Sequence, residues 1–345
     1  MRKSPLILIG SAPSSGSTMF ADLVDSTPYT ACGPEFEWFC NRKVFDFSSF
    51  KEHPRAKSEL FSLRSTSMFP RYERLEHFGL TEAEWFRMVD RSKDLNDLMD
   101  SFSRHFLLFR NKEDQGVVFE KTPQNVNVID LFTSDKNYLF VYLVRDPLYV
   151  FNSLLNRGWG VYTSAVTWLI YTARAWNSLD ESNVVTLKLE DIVRDPYGLT
   201  AGVLNDFLGQ NKVTAESLKA GFEGNSYRDG ASPKLTSWSV QDKVGVIRDP
   251  NAKAIDPKVK DLFLKTLDYR IAPEYASRYG LPRLSMREAL ERFGYTYNEG
   301  SKGEVFATNL QEKWRFIKKT GRGMIEGHGK ASDYGLYSNV VELDR

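Results

Sequence analysis

The sequence has few cysteines, no long hydrophobic run and almost no net charge. Its only cysteines are Cys32 and Cys40, too few for a disulfide framework or a cysteine-rich metal site. The apolar run at residues 5–9 is too short for a membrane span or a signal-peptide core. Lys and Arg total 46 against 45 Asp and Glu, so the basic bias typical of nucleic-acid-binding proteins is missing. We therefore expect a cytoplasmic protein that has no stable membrane anchor, binds no nucleic acid and keeps its thiols reduced.

The pattern of apolar runs predicts an α/β fold. Composition is ordinary for a globular protein, with 41% hydrophobic and 26% charged residues. Apolar, β-branched runs alternate with helical segments, which favours a parallel sheet covered by helices on both faces. Residues 40–115 interrupt this alternation and are predicted to form a helical insertion. The predicted strands lie near residues 5–9, 116–120, 138–144 and 183–188.

The first predicted strand runs into a loop of small residues between Gly10 and Thr18. Small residues let backbone N–H groups converge on an anion, and the helix that follows directs its positive end at the same point. The loop differs from that of nucleotide triphosphatases, because five residues separate Gly10 from Gly16 and Ser17 stands where Lys is required. The loop is thus predicted to hold a phosphate without hydrolysing ATP or GTP, although a plain strand–helix connection has the same composition.

A second phosphate-binding element is predicted after the strand at residues 138–144. Arg145 follows its carboxyl end, where ligands bind in open α/β sheets. Asp146 and Pro147 are suited to begin a helix, and Ser153 lies about two turns along it. Arg145 and Ser153 could bind one terminal phosphate monoester. The alternative is a surface ion pair and an ordinary helix residue.

With these motifs the chain resembles the sulfotransferases that use 3′-phosphoadenosine-5′-phosphosulfate (PAPS), in particular soluble bacterial-type members. The order and spacing of the motifs agree over about residues 5–210. The resemblance implies a three-layer α/β/α fold like that of P-loop NTPases, with a sulfotransferase domain at 1–281 and a C-terminal extension at 282–345. The motifs are the 5′-phosphosulfate loop at 13–18, Glu120-Lys121-Thr122-Pro123, the 3′-phosphate motif at 145–153, and the tail at 189–196 with 207–209.

The resemblance also implies which residues bind the donor. The loop residues would hold the 5′-phosphosulfate, and Arg145 with Ser153 would hold the 3′-phosphate. A late loop of the family closes over the adenosine, although an exposed connection is equally consistent with these residues. The predicted donor-binding residues are Ser14, Ser15, Gly16, Ser17, Thr18, Arg145, Ser153, Arg228, Lys234 and Trp238.

One position departs from the family pattern. Most members have Lys or Arg where this chain has Ser14, and that cation stabilises charge as the sulfuryl group leaves. Lys121 is predicted to replace it, because it ends a strand expected beside the loop. One alternative is that Lys121 only pairs with Glu120 or with a substrate anion. A separate alternative is a protein that binds the donor without turnover.

Removing a proton from the acceptor requires a general base. Glu35 lies where a subset of the family has its catalytic Glu, and Glu37 is the reserve candidate. Phe36 and Trp38 beside them are predicted to bind the substrate, while a surface carboxylate next to structural aromatic residues is the simpler alternative. Asn125 occupies a position where many relatives have His.

We therefore predict a sulfotransferase that moves a sulfuryl group from PAPS to a hydroxyl or amine of a small-molecule or saccharide acceptor, without a metal. Adenosine 3′,5′-bisphosphate would be the product. A nucleotide or phosphoester kinase on the same fold is the other alternative, although it would need Mg²⁺ and a loop Lys. The basic amphipathic pattern at residues 310–319 is consistent with docking on the domain, with an anionic acceptor or with a homodimer contact.

Overall fold

Parallel strands and flanking helices build the chain into three layers. The computed structural model describes residues 6–52, 75–224, 247, 249, 254–297 and 340–343. Five strands form a parallel sheet in the spatial order β2-β3-β1-β4-β5. The predicted α/β/α fold with a central parallel sheet is confirmed. Its strands are β1 Leu6–Ser11, β2 Thr30–Cys32, β3 Val117–Lys121, β4 Leu139–Val144 and β5 Val184–Lys188.

Thirteen α-helices surround the sheet within the described ranges. They are α1 Ser17–Asp25, α2 Phe47–Glu52, α3 Glu82–Arg91, α4 Leu95–Phe109, α5 Ile129–Thr133, α6 Pro147–Asn156, α7 Val161–Ala175, α8 Leu189–Arg194, α9 Pro196–Leu208, α10 Ala215–Glu223, α11 Pro257–Leu264, α12 Pro273–Tyr279 and α13 Met286–Arg292. Short 3₁₀ helices lie at Arg42–Phe45, Glu76–Phe78, Pro123–Val128 and Trp176–Ser178.

The central strands are buried on both faces because their side chains alternate between two cores. In β1, Leu6 and Leu8 belong to one apolar cluster, while Ile7 and Ile9 belong to the other. Helices α4 and α7 cover the first face, and α1, α9 and α10 cover the second. This arrangement explains why the strands read as continuous apolar runs in the sequence.

The insertion at 40–115 adds aromatic residues to the core on the first face of the sheet. Thr81 and Glu84 form the capping box expected at the start of α3. On α4, the fully buried Phe102 stacks on Phe36 at 4.9 Å between ring centroids and meets Trp85 edge-on at 6.0 Å. The insertion therefore packs tightly against the segment that follows β2.

The described parts beyond residue 281 pack into the same core. Strand β6 (Tyr269–Ile271) pairs antiparallel with β7 (Val341–Leu343), which forms a second, two-stranded sheet. Phe293 packs on Tyr142 and Trp168. The domain boundary at 281 stays a prediction, and the helix predicted at 310–319 lies outside the described residues. None of the helices in the described ranges is long and apolar enough to cross a membrane.

Candidate active site

Four neighbouring strands end at one edge of the sheet, and each ends at or leads to a predicted site residue. In spatial order, β2 leads to Glu35, β3 ends at Lys121, β1 leads into the loop at 12–16, and β4 leads to Arg145. Residue Ile9 of β1 pairs with Lys121, and Ser11 pairs with Leu143. The topology therefore places the predicted base and cation on one side of the loop and Arg145 on the other.

The loop holds two residues in the left-handed backbone region. Gly16 has φ 83° and is the N-cap of α1, without a side-chain cap. A Cβ on Gly16 would lie 2.4 Å from Cδ1 of the buried Leu189. Ser14 has φ 73°, a conformation that costs a non-glycine residue about 1–3 kcal/mol and is common at ligand clamps.

Three serine hydroxyls in and before the loop have no hydrogen-bond partner in the described protein. The hydroxyls of Ser11, Ser14 and Ser15 are buried and make no hydrogen bond to any described residue. The first turn of α1 carries no acidic side chain. Buried hydroxyls and the N–H groups of a helix start are donors for an oxyanion, so the loop fits a phosphate or phosphosulfate. Ser17 and Thr18 occupy the first turn of this helix.

Arg145 directly contacts the loop. Its Nη1 donates to the carbonyl oxygen of Ser14 at 2.9 Å, and its guanidinium lies over the Tyr149 ring at 5.7 Å. Burial lowers the pKa of Arg145, and the nearby Glu190 and Asp146 carboxylates oppose that shift. The two predicted phosphate-binding elements thus adjoin each other.

The other predicted donor-binding residues are only partly placed. Asp146 caps α6 as expected, accepting from the Leu148 N–H at 2.9 Å. Ser153 is half-buried on the same helix. Arg228, Lys234 and Trp238 lie outside the described residues.

Lys121 and Glu35 form an ion pair. Lys121 Nζ lies 3.2 Å from Glu35 Oε1, and the side chains are 6% and 36% exposed. The predicted cation and the predicted base are therefore brought together, with the lysine enclosed and the carboxylate open to solvent. Glu120, the other partner predicted for Lys121, instead accepts hydrogen bonds from other residues with its carboxylate.

Glu120 fixes the segment that carries Glu35. Its Oε1 accepts from the Phe36 N–H at 3.0 Å and from the Thr122 hydroxyl at 2.6 Å, and its Oε2 accepts from Asn125 Nδ2 at 2.6 Å. Thr122 Oγ1 in turn accepts from the Glu37 N–H at 3.1 Å. The sequence identified Glu120 and Thr122 as part of a motif, but it did not predict that they hold the segment of Glu35 in place.

The aromatic neighbours of Glu35 point into the core. Phe36 and Trp38 are 4% and 3% exposed, and Trp38 meets Phe50 and Trp85 edge-on. That Phe36 and Trp38 bind the substrate therefore stays a prediction, and the packing shows that other aromatic rings already surround both side chains. Glu37, the reserve base, is 4% exposed and has φ 60°.

Two further polar residues belong to this edge. Asn125 is fully buried, and its Nδ2 donates to the Ile9 carbonyl at 3.0 Å, so it clamps β1 to the end of β3. Arg157 follows α6; burial lowers its pKa, and the Glu35 carboxylate opposes that shift. Arg157 therefore interacts electrostatically with Glu35. No sequence motif marked it.

Replacing Gly16 should destabilise the protein more than replacing a comparable glycine. Gly209 also has a positive φ, 67°, but a Cβ there meets nothing within 4 Å. We expect Gly209→Ala to lower the free energy of unfolding by about 1–2 kcal/mol through backbone strain alone. Gly16→Ala should lower it by a further ~1 kcal/mol or more, because its Cβ collides with Leu189. Urea unfolding measures both, and equal losses would contradict the close approach.

Glu120 should make stability depend on pH. Burial raises the pKa of Glu120, so the folded state binds its proton more tightly than the unfolded chain does. The wild type should therefore lose stability relative to Glu120→Gln as the pH rises from about 4.3, the unfolded value, through the folded pKa. The difference between the two unfolding curves isolates this group, and a pH-independent difference would argue against a buried ionisable Glu120.

A protein family and several solved structures are similar to this chain. The model of the sulfotransferase family matches residues 5–211. No curated protein sequence matches the chain. Structural similarity extends to the sulfotransferase domain of the Synechococcus PCC 7002 olefin synthase (17% identity, 85% of this chain, 94% of that one, TM-score 0.45). It extends also to a sulfotransferase domain from the curacin biosynthetic pathway (16% identity, 86% and 99%, TM-score 0.45). Because the family model spans more than half of its residues, the chain belongs to the sulfotransferase family.

Proposed function

We propose that the chain transfers a sulfuryl group from PAPS to a hydroxyl or amine of a small-molecule or saccharide acceptor. The observation that carries the proposal is the contact between the two anion-binding elements: Arg145 Nη1 lies 2.9 Å from the Ser14 carbonyl oxygen. A donor with phosphates at both its 5′ and 3′ positions needs two such elements side by side. A nucleoside triphosphate needs only one loop, together with the lysine that this loop lacks.

The loop would bind the 5′-phosphosulfate. The buried hydroxyls of Ser14 and Ser15 and the N–H groups of Gly16, Ser17 and Thr18 supply donors at the start of α1. Arg145 would turn from the Ser14 carbonyl to the 3′-phosphate, joined by Ser153 from α6. When bound, the donor supplies the sulfuryl group and leaves as adenosine 3′,5′-bisphosphate.

Glu35 would act as the general base and Lys121 as the cation that replaces the one missing at Ser14. The Glu35 carboxylate is open to solvent and can accept the acceptor's proton, while the Phe36 N–H bond to Glu120 holds its segment in place. The Lys121 ammonium is fixed at the end of β3, beside the strand that leads into the loop. It would stabilise the negative charge that develops during transfer.

The electrostatics of the acceptor side favour a polar acceptor. Lys121 pairs with Glu35, the Arg157 charge also interacts with this carboxylate, and the aromatic rings of this segment are turned into the core. The proposed acceptor group is therefore a hydroxyl or amine that hydrogen-bonds to Glu35, with its attached carbon skeleton outside the aromatic cluster.

Transfer of labelled sulfur from PAPS to naphthol, octanol and glucosamine tests the proposal. We expect Glu35→Gln to lower kcat by about 10²–10⁴ and Lys121→Ala by about 10²–10³, because each removes a group that acts in the transition state. The matched controls are Glu181→Gln and Lys136→Ala, since this ion pair lies before β4 and β5, at the opposite edge of the sheet. Both controls should keep full turnover.

The outcomes separate the alternatives. Full turnover by Glu35→Gln or Lys121→Ala would refute the role assigned to that residue. Binding of adenosine 3′,5′-bisphosphate without transfer to any acceptor would favour a donor-binding protein, which the serine at position 14 would explain. Tighter binding of ATP than of the bisphosphate would favour the kinase alternative.

A further inference from the structure

Two tyrosines from beyond the family-matched span reach the Arg145 side of the site. Tyr295 and Tyr297 follow α13, whereas the family match ends at residue 211. Phe293 anchors this segment against Tyr142 and Trp168, with ring centroids 6.2 and 6.1 Å away. The segment is thereby held beside the carboxyl ends of β4 and β5.

Each tyrosine donates a hydrogen bond to a carboxylate next to Arg145. Tyr295 Oη donates to Glu190 Oε2 at 2.9 Å, and Tyr297 Oη donates to Asp146 Oδ1. Lys188 Nζ lies 4.8 Å from the centre of the Tyr295 ring, and the Tyr297 ring meets Phe263 edge-on at 5.1 Å. Both rings are therefore held by packing as well as by their hydroxyls.

Glu190 and Trp168 fix the backbone that carries Arg145. Glu190 Oε1 accepts from the Asp146 N–H at 3.0 Å, immediately after Arg145. On the other side, Trp168 Nε1 donates to the Arg145 carbonyl oxygen at 3.0 Å. The peptide unit between Arg145 and Asp146 is thus held at both its C=O and its N–H, and Tyr295 orients the acid that holds the N–H.

The tyrosine hydroxyls are suited to this task. Burial and the Glu190 charge raise the pKa of Tyr295, and burial and the Asp146 charge raise the pKa of Tyr297, so both stay protonated donors. Burial, and secondarily the Glu190 charge, raises the pKa of Asp146. Two acidic groups share this region with Arg145, and the hydroxyls stabilise them without adding charge.

We propose that Tyr295 and Tyr297 are positioning residues that orient Arg145 toward the 3′-phosphate of the donor. The inference rests on the proposed function, because it needs a donor with a 3′-phosphate. It gives the segment at 293–297 a part in donor selectivity, although this segment lies outside the matched family span. A merely structural role would lower stability without changing which nucleotide is preferred.

The test compares two nucleotides that differ only in the 3′-phosphate, AMP and adenosine 3′,5′-bisphosphate. The Kd for AMP divided by the Kd for the bisphosphate, measured by calorimetry on the full chain, reports the contribution of the 3′-phosphate. We expect Tyr295→Phe and Tyr297→Phe each to lower this ratio about tenfold, with the Kd for AMP nearly unchanged, because each removes a hydrogen bond to a charged group beside Arg145.

Tyr138→Phe is the matched control. Tyr138 also donates its hydroxyl to a side chain, Asn96, but it precedes β4 at the opposite edge of the sheet. The ratio of the two Kd values for Tyr138→Phe should equal that of the wild type, even if its stability falls as much as that of the Tyr295 and Tyr297 variants. Arg145→Ala sets the lower limit, with the ratio close to one.

Each outcome decides a different point. A wild-type ratio near one would refute the proposed donor and this inference with it. A large wild-type ratio that Arg145→Ala abolishes, but that neither tyrosine variant changes, would refute the inference alone. If one variant does not fold, the other still tests the proposal, because the two hydroxyls contact different carboxylates.

Discussion

The order of the parallel strands is the constraint on which the candidate site depends. Strands β2, β3, β1, β4 and β5 end at one edge, so Glu35, Lys121, the small-residue loop, Arg145 and Glu190 lie side by side although they are spread over residues 12–190. Neither the loop nor Arg145 would select a ligand alone. Their contact through the Ser14 carbonyl oxygen brings the two proposed phosphate-binding elements together at one site.

On both sides of the loop, a carboxylate accepts a backbone N–H beside a proposed site residue. On one side, the Glu120 carboxylate accepts the N–H of Phe36, the residue after the predicted base Glu35. On the other, the Glu190 carboxylate accepts the N–H of Asp146, the residue after Arg145. In each case an acid held by neighbouring hydroxyl or amide donors fixes the backbone next to a residue with a proposed function. Precise placement of charged side chains requires such support, because transfer reactions of this kind depend on positioning and electrostatics.

Local sequence patterns predicted the strands and helices that have a strong hydrophobic pattern. They did not reveal contacts between residues that are far apart in the chain. Runs of apolar and β-branched residues predicted β1, β3, β4 and β5, whereas β2, with three residues, and the β6–β7 pair gave no recognisable run. The family motifs predicted roles for Glu35 and Lys121 in the same reaction, and the structure shows an ion pair between them. The aromatic run around Glu35 could not reveal that Phe36 and Trp38 face Trp85 of the insertion. Tyr295 and Glu190 are 105 residues apart, and no pattern links them.

The most direct test of the shared site is a crystal structure of the chain with adenosine 3′,5′-bisphosphate. The account predicts the 5′-phosphate at the start of α1, bound by the N–H groups of Gly16 and Ser17. It predicts the 3′-phosphate on the Arg145 guanidinium, which leaves the Ser14 carbonyl oxygen. A bisphosphate bound away from both elements, or an Arg145 that stays on Ser14 while the 3′-phosphate points to solvent, would contradict it.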